Sequence, residues 1–273
     1  MHRTFLSGAL AALMLTGTVA PRATAAETPS AQQVLTSAAE QGKYTFLLFY
    51  KEDSQPTRKM AQTLKAGVAA NSDIAELCFV AVTDPAQQAV VKRYGVSRAP
   101  LPFTLAIAPN GAITGLYSQK ISDANIAEAF VTAGMADCMK AMQEKKLVLV
   151  CVQASARSQT PAAVEDFQSD PEFGNRIAVI AVQASDTSEA AFLQQMEVDP
   201  ATVKGTTMVF LAPPAVLVGK FASTATKAEM AAALHAAGQC CDDPNCKHNH
   251  APKAAQKSAA PKSAAKKSAA KRN

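Results

Sequence analysis

The sequence predicts an α/β chain made of two tandem domains of one plan, each a mixed sheet with helices on both faces, followed by a basic tail. Three observations lead there. Short apolar runs rich in β-branched and aromatic residues, at 44–50, 77–82, 147–152 and 177–182, alternate with helical stretches, which is the pattern of sheet strands joined by crossover helices. The order of elements in the first half recurs in the second, as an internal duplication requires. After Gly238 the composition changes abruptly to Ala, Lys, Ser and Pro with a short Cys/His cluster, and such a segment has no apolar surface from which to build a core.

Residues 1–25 carry His2 and Arg3, an apolar stretch over about 5–20, and small residues at Ala23 and Ala25. This reads as a secretory signal peptide cleaved near Ala25-Ala26. No later run approaches the length of a membrane helix. The expected location is therefore the periplasm or the exterior, a compartment that permits disulfides. The net charge of +5 misdescribes the body: two basic residues lie in the leader and seven after His250, which leaves −4 for 26–250. A mildly acidic body thus bears a basic tail. The expected divisions are 26–142, 143–238, the cluster at 239–250 and the tail at 251–273.

In the first domain Ser30 caps a helix over Ala31–Glu40. The run Tyr44–Tyr50 reads as a buried strand, and a short polar loop leads into a helix over 56–69. Residues 77–82 follow as a central strand, then a helix over 85–94, a strand from Phe103, a turn at Asn110-Gly111, a strand over 112–117 and a final helix over 123–138. Asn-Gly is a strong hairpin signal because a type I′ turn needs positive φ at both positions.

The stretch Phe49-Tyr50-Lys51-Glu52-Asp53-Ser54-Gln55-Pro56-Thr57-Arg58 resembles the strand, loop and active helix of the thioredoxin family, whose motif is W-C-G-P-C-K. A second anchor is Tyr94-Gly95-Val96 followed by Ala99-Pro100-Leu101-Pro102-Phe103 and the Asn110-Gly111 turn. The resemblance implies a cis proline opening the strand at 103. Pro102, which directly precedes the apolar run, fits that place better than Pro100. It also places Ser54 and Thr57 where the two redox cysteines would stand. Disulfide exchange needs a thiolate and a resolving thiol, and an alcohol supplies neither. Ser54 and Thr57 are degenerate redox positions, read here as a helix cap, and no catalytic residue is assigned.

The second domain repeats the plan with strands at 147–152, 177–182 and 203–211, a helix opened by Ser158-Gln159-Thr160-Pro161, another near 188–196, a turn at Pro213-Pro214, a strand over 216–221 and a helix over 227–237. Thr206 or Thr207 replaces the cis proline. The fold class is thus two tandem thioredoxin-like domains, the second degenerate.

Cys78 and Cys151 lie within apolar strands and read as small buried hydrophobes. Met135, Cys138, Met139 and Met142 share one helical face. That stripe suits either packing against a core or a neighbouring domain, or a soft ion such as Cu(I). Cys240, Cys241, Cys246, His248 and His250 fall within eleven residues. They are candidate ligands for zinc or copper, and the rival reading is a disulfide from Cys240 or Cys241 to Cys246. No other cofactor is implied. The tail, with Lys-Ser-Ala-Ala recurring at 257, 262 and 267, suits polyanions. After export these are anionic lipid, lipopolysaccharide or wall polymer rather than nucleic acid.

These features point to a redox-inactive, protein- or peptide-binding module or scaffold of the cell envelope. The alternative is a metal- or thiol-handling protein working through the Cys/His cluster. An atypical thiol–disulfide oxidoreductase using Cys138 or the tail thiols conflicts with Ser54 and Thr57.

Overall fold

In the computed structural model, which describes residues 29–238, each half of the chain forms a four-stranded sheet. The first repeat runs α1 (Ala31–Glu40), β1 (Tyr44–Tyr50), α2 (Gln55–Ala69), β2 (Ala75–Ala81), α3 (Gln88–Arg93), β3 (Phe103–Ile107), β4 (Ile113–Ser118) and α4 (Asp123–Ala129). The second runs α5 (Ala133–Gln143), β5 (Leu147–Gln153), α6 (Ala162–Ser169), β6 (Ile177–Gln183), α7 (Ala190–Gln195), β7 (Thr206–Ala212), β8 (Val216–Ala222) and α8 (Lys227–Ala236). Strand orders are β2-β1-β3-β4 and β6-β5-β7-β8, with the first pair parallel and the others antiparallel. No helix among the described residues is long and apolar enough to cross a membrane.

The central strands explain the layers. In β1, Leu47 and Phe49 enter one core while Phe46 and Leu48 enter another on the opposite face. In β5, Leu147, Leu149 and Cys151 face one core, and Val148, Val150 and Val152 the other. Successive strand residues point to opposite faces, so a continuous apolar run obliges both faces to be covered. Fully burying one such side chain contributes about 1.5–3 kcal/mol. Helices α1 and α5 supply the covers by setting small or apolar residues about one turn apart: Ala31, Leu35 and Ala38 in one, Gly134, Cys138 and Ala141 in the other.

Local signals fix the helix ends. Ser30 with Gln33, Ser122 with Asn125 and Thr226 with Glu229 form capping boxes that satisfy the first backbone N–H groups of α1, α4 and α8. The duplication extends to detail. Asp84 and Asp186 each accept a backbone N–H at the start of a 3-10 turn, at 2.8 and 2.9 Å. Three residues on, Gln87 and Glu189 are buried and accept the N–H of Ala31 and Gly134, at 3.0 and 2.8 Å. Both hairpins carry an aromatic ring folded over a glycine two residues earlier, Tyr117 over Gly115 and Phe221 over Gly219. A Cβ at either glycine would lie under 3 Å from the ring.

Several sequence-based expectations need correction. The helix expected over 123–138 is two helices: Phe130 turns extended to pack against Tyr44 and Phe46, and Thr132 caps a fresh start by accepting the Met135 N–H at 3.2 Å. The strand expected at the centre of the first sheet, β2, is an edge, because a helix rather than a strand precedes β1. Helix α6 does follow Ser158-Gln159-Thr160-Pro161, but with Pro161 at its N-cap and no side-chain cap bond, and the Ser158 hydroxyl donates to the Gly205 carbonyl at 3.2 Å. The helices expected over 85–94 and 188–196 each begin as a 3-10 turn.

Helix α5 belongs to both repeats. Its Cys138 and Ala141 lie in the core against β5 and β6. Its Ala136 packs with Ala108 and Ala112 of the first hairpin. The Gln143 side-chain amide donates to the Ile113 carbonyl at 2.7 Å and accepts the Ile113 N–H at 3.0 Å, while Asn110 donates to Asp137 at 2.8 Å. At the other end Glu189 holds the Gly134 N–H with one carboxylate oxygen, and the second oxygen is buried without a hydrogen-bond partner. Replacing Glu189 by Ala orphans a buried donor and is expected to lower stability by about 1–3 kcal/mol. Glu189→Gln keeps the acceptor and should stay close to the parent. Urea unfolding of both variants followed by circular dichroism checks this.

Candidate functional site

Strand β1 delivers the chain to a loop and then to the start of α2. Ser54 is the N-cap (φ −78°, ψ 165°), with its Oγ accepting the Thr57 N–H at 3.4 Å. The two hydroxyls lie 2.9 Å apart, bonded to one another, and Thr57 is buried. Arg58 at the same end donates to Asp53 Oδ2 at 3.2 Å. One turn along α2, the Met60 sulfur accepts the Thr104 hydroxyl at 3.2 Å.

The β1–β3 ladder pairs Phe49 with Phe103, so Pro102 follows on opposite Tyr50. The Leu101–Pro102 peptide is cis, and that before Pro100 is not. Each half has a thioredoxin-like fold. In the second, Thr206 stands opposite Gln153 at the matching register position, in a trans peptide, and its hydroxyl donates to the Gln159 carbonyl at 3.3 Å. The Pro213–Pro214 peptide in the second hairpin is also cis.

Chemically this corner keeps the thioredoxin-like scaffold without its thiols. No imidazole among the described residues stands beside either hydroxyl, since the one histidine, His235, lies in α8. Two shallow depressions flank the start of α2. One, of about 400 Å³, is bordered by Gln55, Lys59 and Lys120. The other, of about 540 Å³, is bordered by Tyr50, Arg58 and Phe79.

The thiols that are described lie elsewhere. Cys78, Cys138 and Cys151 are free and buried. Burial pushes the Cys138 and Cys151 thiols from an ordinary 9.0 up to about 11, and raises that of Cys78, with the Glu76 carboxylate adding to it. Buried thiols of this kind are poor nucleophiles. Cys240, Cys241, Cys246, His248 and His250 lie outside the described residues, as do residues 1–28 and the basic segment 251–273. Among the described residues no cluster of three or more His, Cys, Asp or Glu is placed to hold a metal.

A larger cavity than these lies in the second domain. Helices α5 and α7 and strands β7 and β8 enclose about 660 Å³, bordered by Met135, Cys138, Met139 and Met142 together with Met196 from just beyond α7. Helical periodicity brings the first four together, but only the tertiary fold brings Met196 to them. Met196 sits just past the end of a six-residue helix, where periodicity gives no signal of what it faces.

No protein-family model and no curated protein matches the sequence. Solved structures do resemble it. Thioredoxin from Fasciola hepatica is 18% identical, with 33% of this chain and 81% of that one covered, at a TM-score of 0.27. Human ERp44 in its form II is 11% identical, covering 82% and 61%, at 0.36. The first two thioredoxin domains of Saccharomyces cerevisiae Eps1p are 9% identical, covering 71% and 89%, at 0.28. Likeness at this level concerns the fold alone.

Two expectations follow. Ser54→Ala removes the cap of α2 and should cost about 1 kcal/mol, read by thermal unfolding. The buried thiols give a pH signature as well. Their pKa is higher folded than unfolded, so the folded state holds the extra protons between pH 9 and 11. Stability should therefore be intact below about pH 9 and fall as the pH rises toward 11. A chain in which Cys138 and Cys151 are both changed to Ala should show a shallower alkaline slope in urea titrations, the remainder coming from Cys78 and the tyrosines whose pKa burial also raises.

Proposed function

We propose that the protein is an exported, redox-inactive thioredoxin-like module of the cell envelope, and that it binds an extended protein or peptide segment at the corner formed by Ser54, Thr57 and Pro102. The observation that carries this reading is the hydroxyl pair itself. The N-terminus of α2, its cap and the cis proline are retained, while the two sulfur positions are filled by a Ser and a Thr bonded to each other at 2.9 Å. A scaffold kept without its nucleophile suits recognition rather than turnover. The export assignment rests on the leader at 1–25. The tail at 251–273 supports electrostatic attachment to anionic lipid, lipopolysaccharide or wall polymer.

A second reading, metal handling by Cys240, Cys241, Cys246, His248 and His250, is favoured by the density of thiols and imidazoles there. Zinc and copper are the ions that such donors accept.

An insulin-reduction assay with dithiothreitol should give no turnover above background for the protein. The double variant Ser54→Cys, Thr57→Cys should gain turnover, because the helix and proline it needs are in place. Turnover by the parent would overturn the redox-inactive reading. In a parallel anisotropy assay, a labelled, reduced and carboxymethylated protein chain should bind the parent and lose affinity when Thr57→Trp blocks the corner. Equal binding by that variant would move the recognition surface elsewhere.

A further inference from the structure

The duplication supplies an internal comparison for the large cavity. In the first repeat the same place, between α1, the end of α3 and the β3–β4 turn, is a smaller depression of about 320 Å³. Matching α1 to α5 through the pairs Ala31/Gly134 and Ala38/Ala141 sets Gln32, Leu35, Thr36 and Ala39 against Met135, Cys138, Met139 and Met142. Matching the Gln87 and Glu189 turns sets Tyr94 against Met196. Five positions with no sulfur in one repeat are all sulfur in the other.

Core packing does not require this. Met135 and Met142 pack against the core of the second domain and Met139 against the small cluster of the first hairpin, yet all three are only half-buried and leave part of their length bordering open space. The cavity they border stays open although Cys138 and Met196 beside it are buried. Four of the seven methionines among the described residues gather at this one place, the other three being Met60, Met208 and Met230.

We propose that this cavity is a binding site for a soft monovalent metal ion, Cu(I), held by the Cys138 thiolate and thioethers from among Met135, Met139, Met142 and Met196. Thiolate and thioether donors select Cu(I), whereas zinc prefers thiolates, imidazoles and carboxylates. Binding forms one Cu–S(thiolate) bond, releases the Cys138 proton to solvent and changes no oxidation state. Methionine's long, unbranched chain lets the thioethers close on an ion from helix and loop alike. This site shares no residue with the Ser54 corner or with the Cys/His cluster, so it stands or falls independently of the reading above.

The test uses the full chain with the tail donors silenced (C240S, C241S, C246S, H248A, H250A), titrated anaerobically with Cu(I) against bicinchoninate and, separately, with Zn(II). One equivalent of Cu(I) and no zinc should bind. Met139→Leu with Met142→Leu, a nearly volume-conserving change, should weaken Cu(I) by at least about tenfold while leaving the apo melting temperature within a few degrees. Cys138→Ser should do the same. Absence of Cu(I) binding, or equal affinity in these variants, would overturn the proposal. So would an apolar dye, anilinonaphthalene sulfonate, that occupies the cavity and is not displaced by Cu(I), since that marks a pocket for apolar ligands.

Discussion

Burial of the two leading strands on both faces is the constraint from which the rest of the molecule follows. Neither β1 nor β5 has a polar face to offer water, so each sheet needs helices on both sides, and each repeat therefore holds two cores rather than one. The helix that opens each repeat then becomes indispensable. It covers the face that the crossover helix cannot reach, and its first N–H groups must be satisfied where they are buried. Gln87 and Glu189 do this from the turns that lead into α3 and α7, which pack on the same face of each sheet. The position of the candidate corner at Ser54 is a consequence too, because α2 starts where the buried strand runs out.

Divergence between the repeats is concentrated where the scaffold leaves freedom. Strand register, the bulges in both hairpins, the capped 3-10 turns and the glycine–aromatic pairs are retained. What differs lies at the ends of strands and on the outer helix faces: a cis proline against Thr206, a hydroxyl pair against an uncapped α6, and a polar depression against a cavity bordered by sulfur. The two repeats thus share the parts that fold and differ at strand ends and outer helix faces.

Much of this was legible in the residues. The apolar runs, the capping serines and the hairpin at Asn110-Gly111 are local signals, although only Gly111 takes a positive φ, so the turn is not the type I′ expected; Pro102 was distinguished from Pro100 by its place beside Phe103. What was not legible is tertiary. A run such as Leu77-Cys78-Phe79-Val80 is equally apolar at the edge or centre of a sheet, and only the absence of a strand before β1 makes β2 an edge. The break at Phe130 depends on Tyr44 and Phe46, far back in the chain. For the sulfur cavity, periodicity aligned the donors on α5 but was silent about Met196 and about the open space between them. The Ser54–Thr57 hydroxyl contact is a matter of geometry at a helix start that no spacing rule predicts in detail.

The amide bridge from Gln143 to Ile113 ties the end of α5 to the outermost strand of the sheet before it. Only residues 144–146 separate α5 from β5, a span of roughly 10 Å when fully stretched. The joint has almost no slack. Anatomically there are two domains, yet mechanically they form one lever, in which a load applied to the first hairpin is carried along α5 into the second sheet.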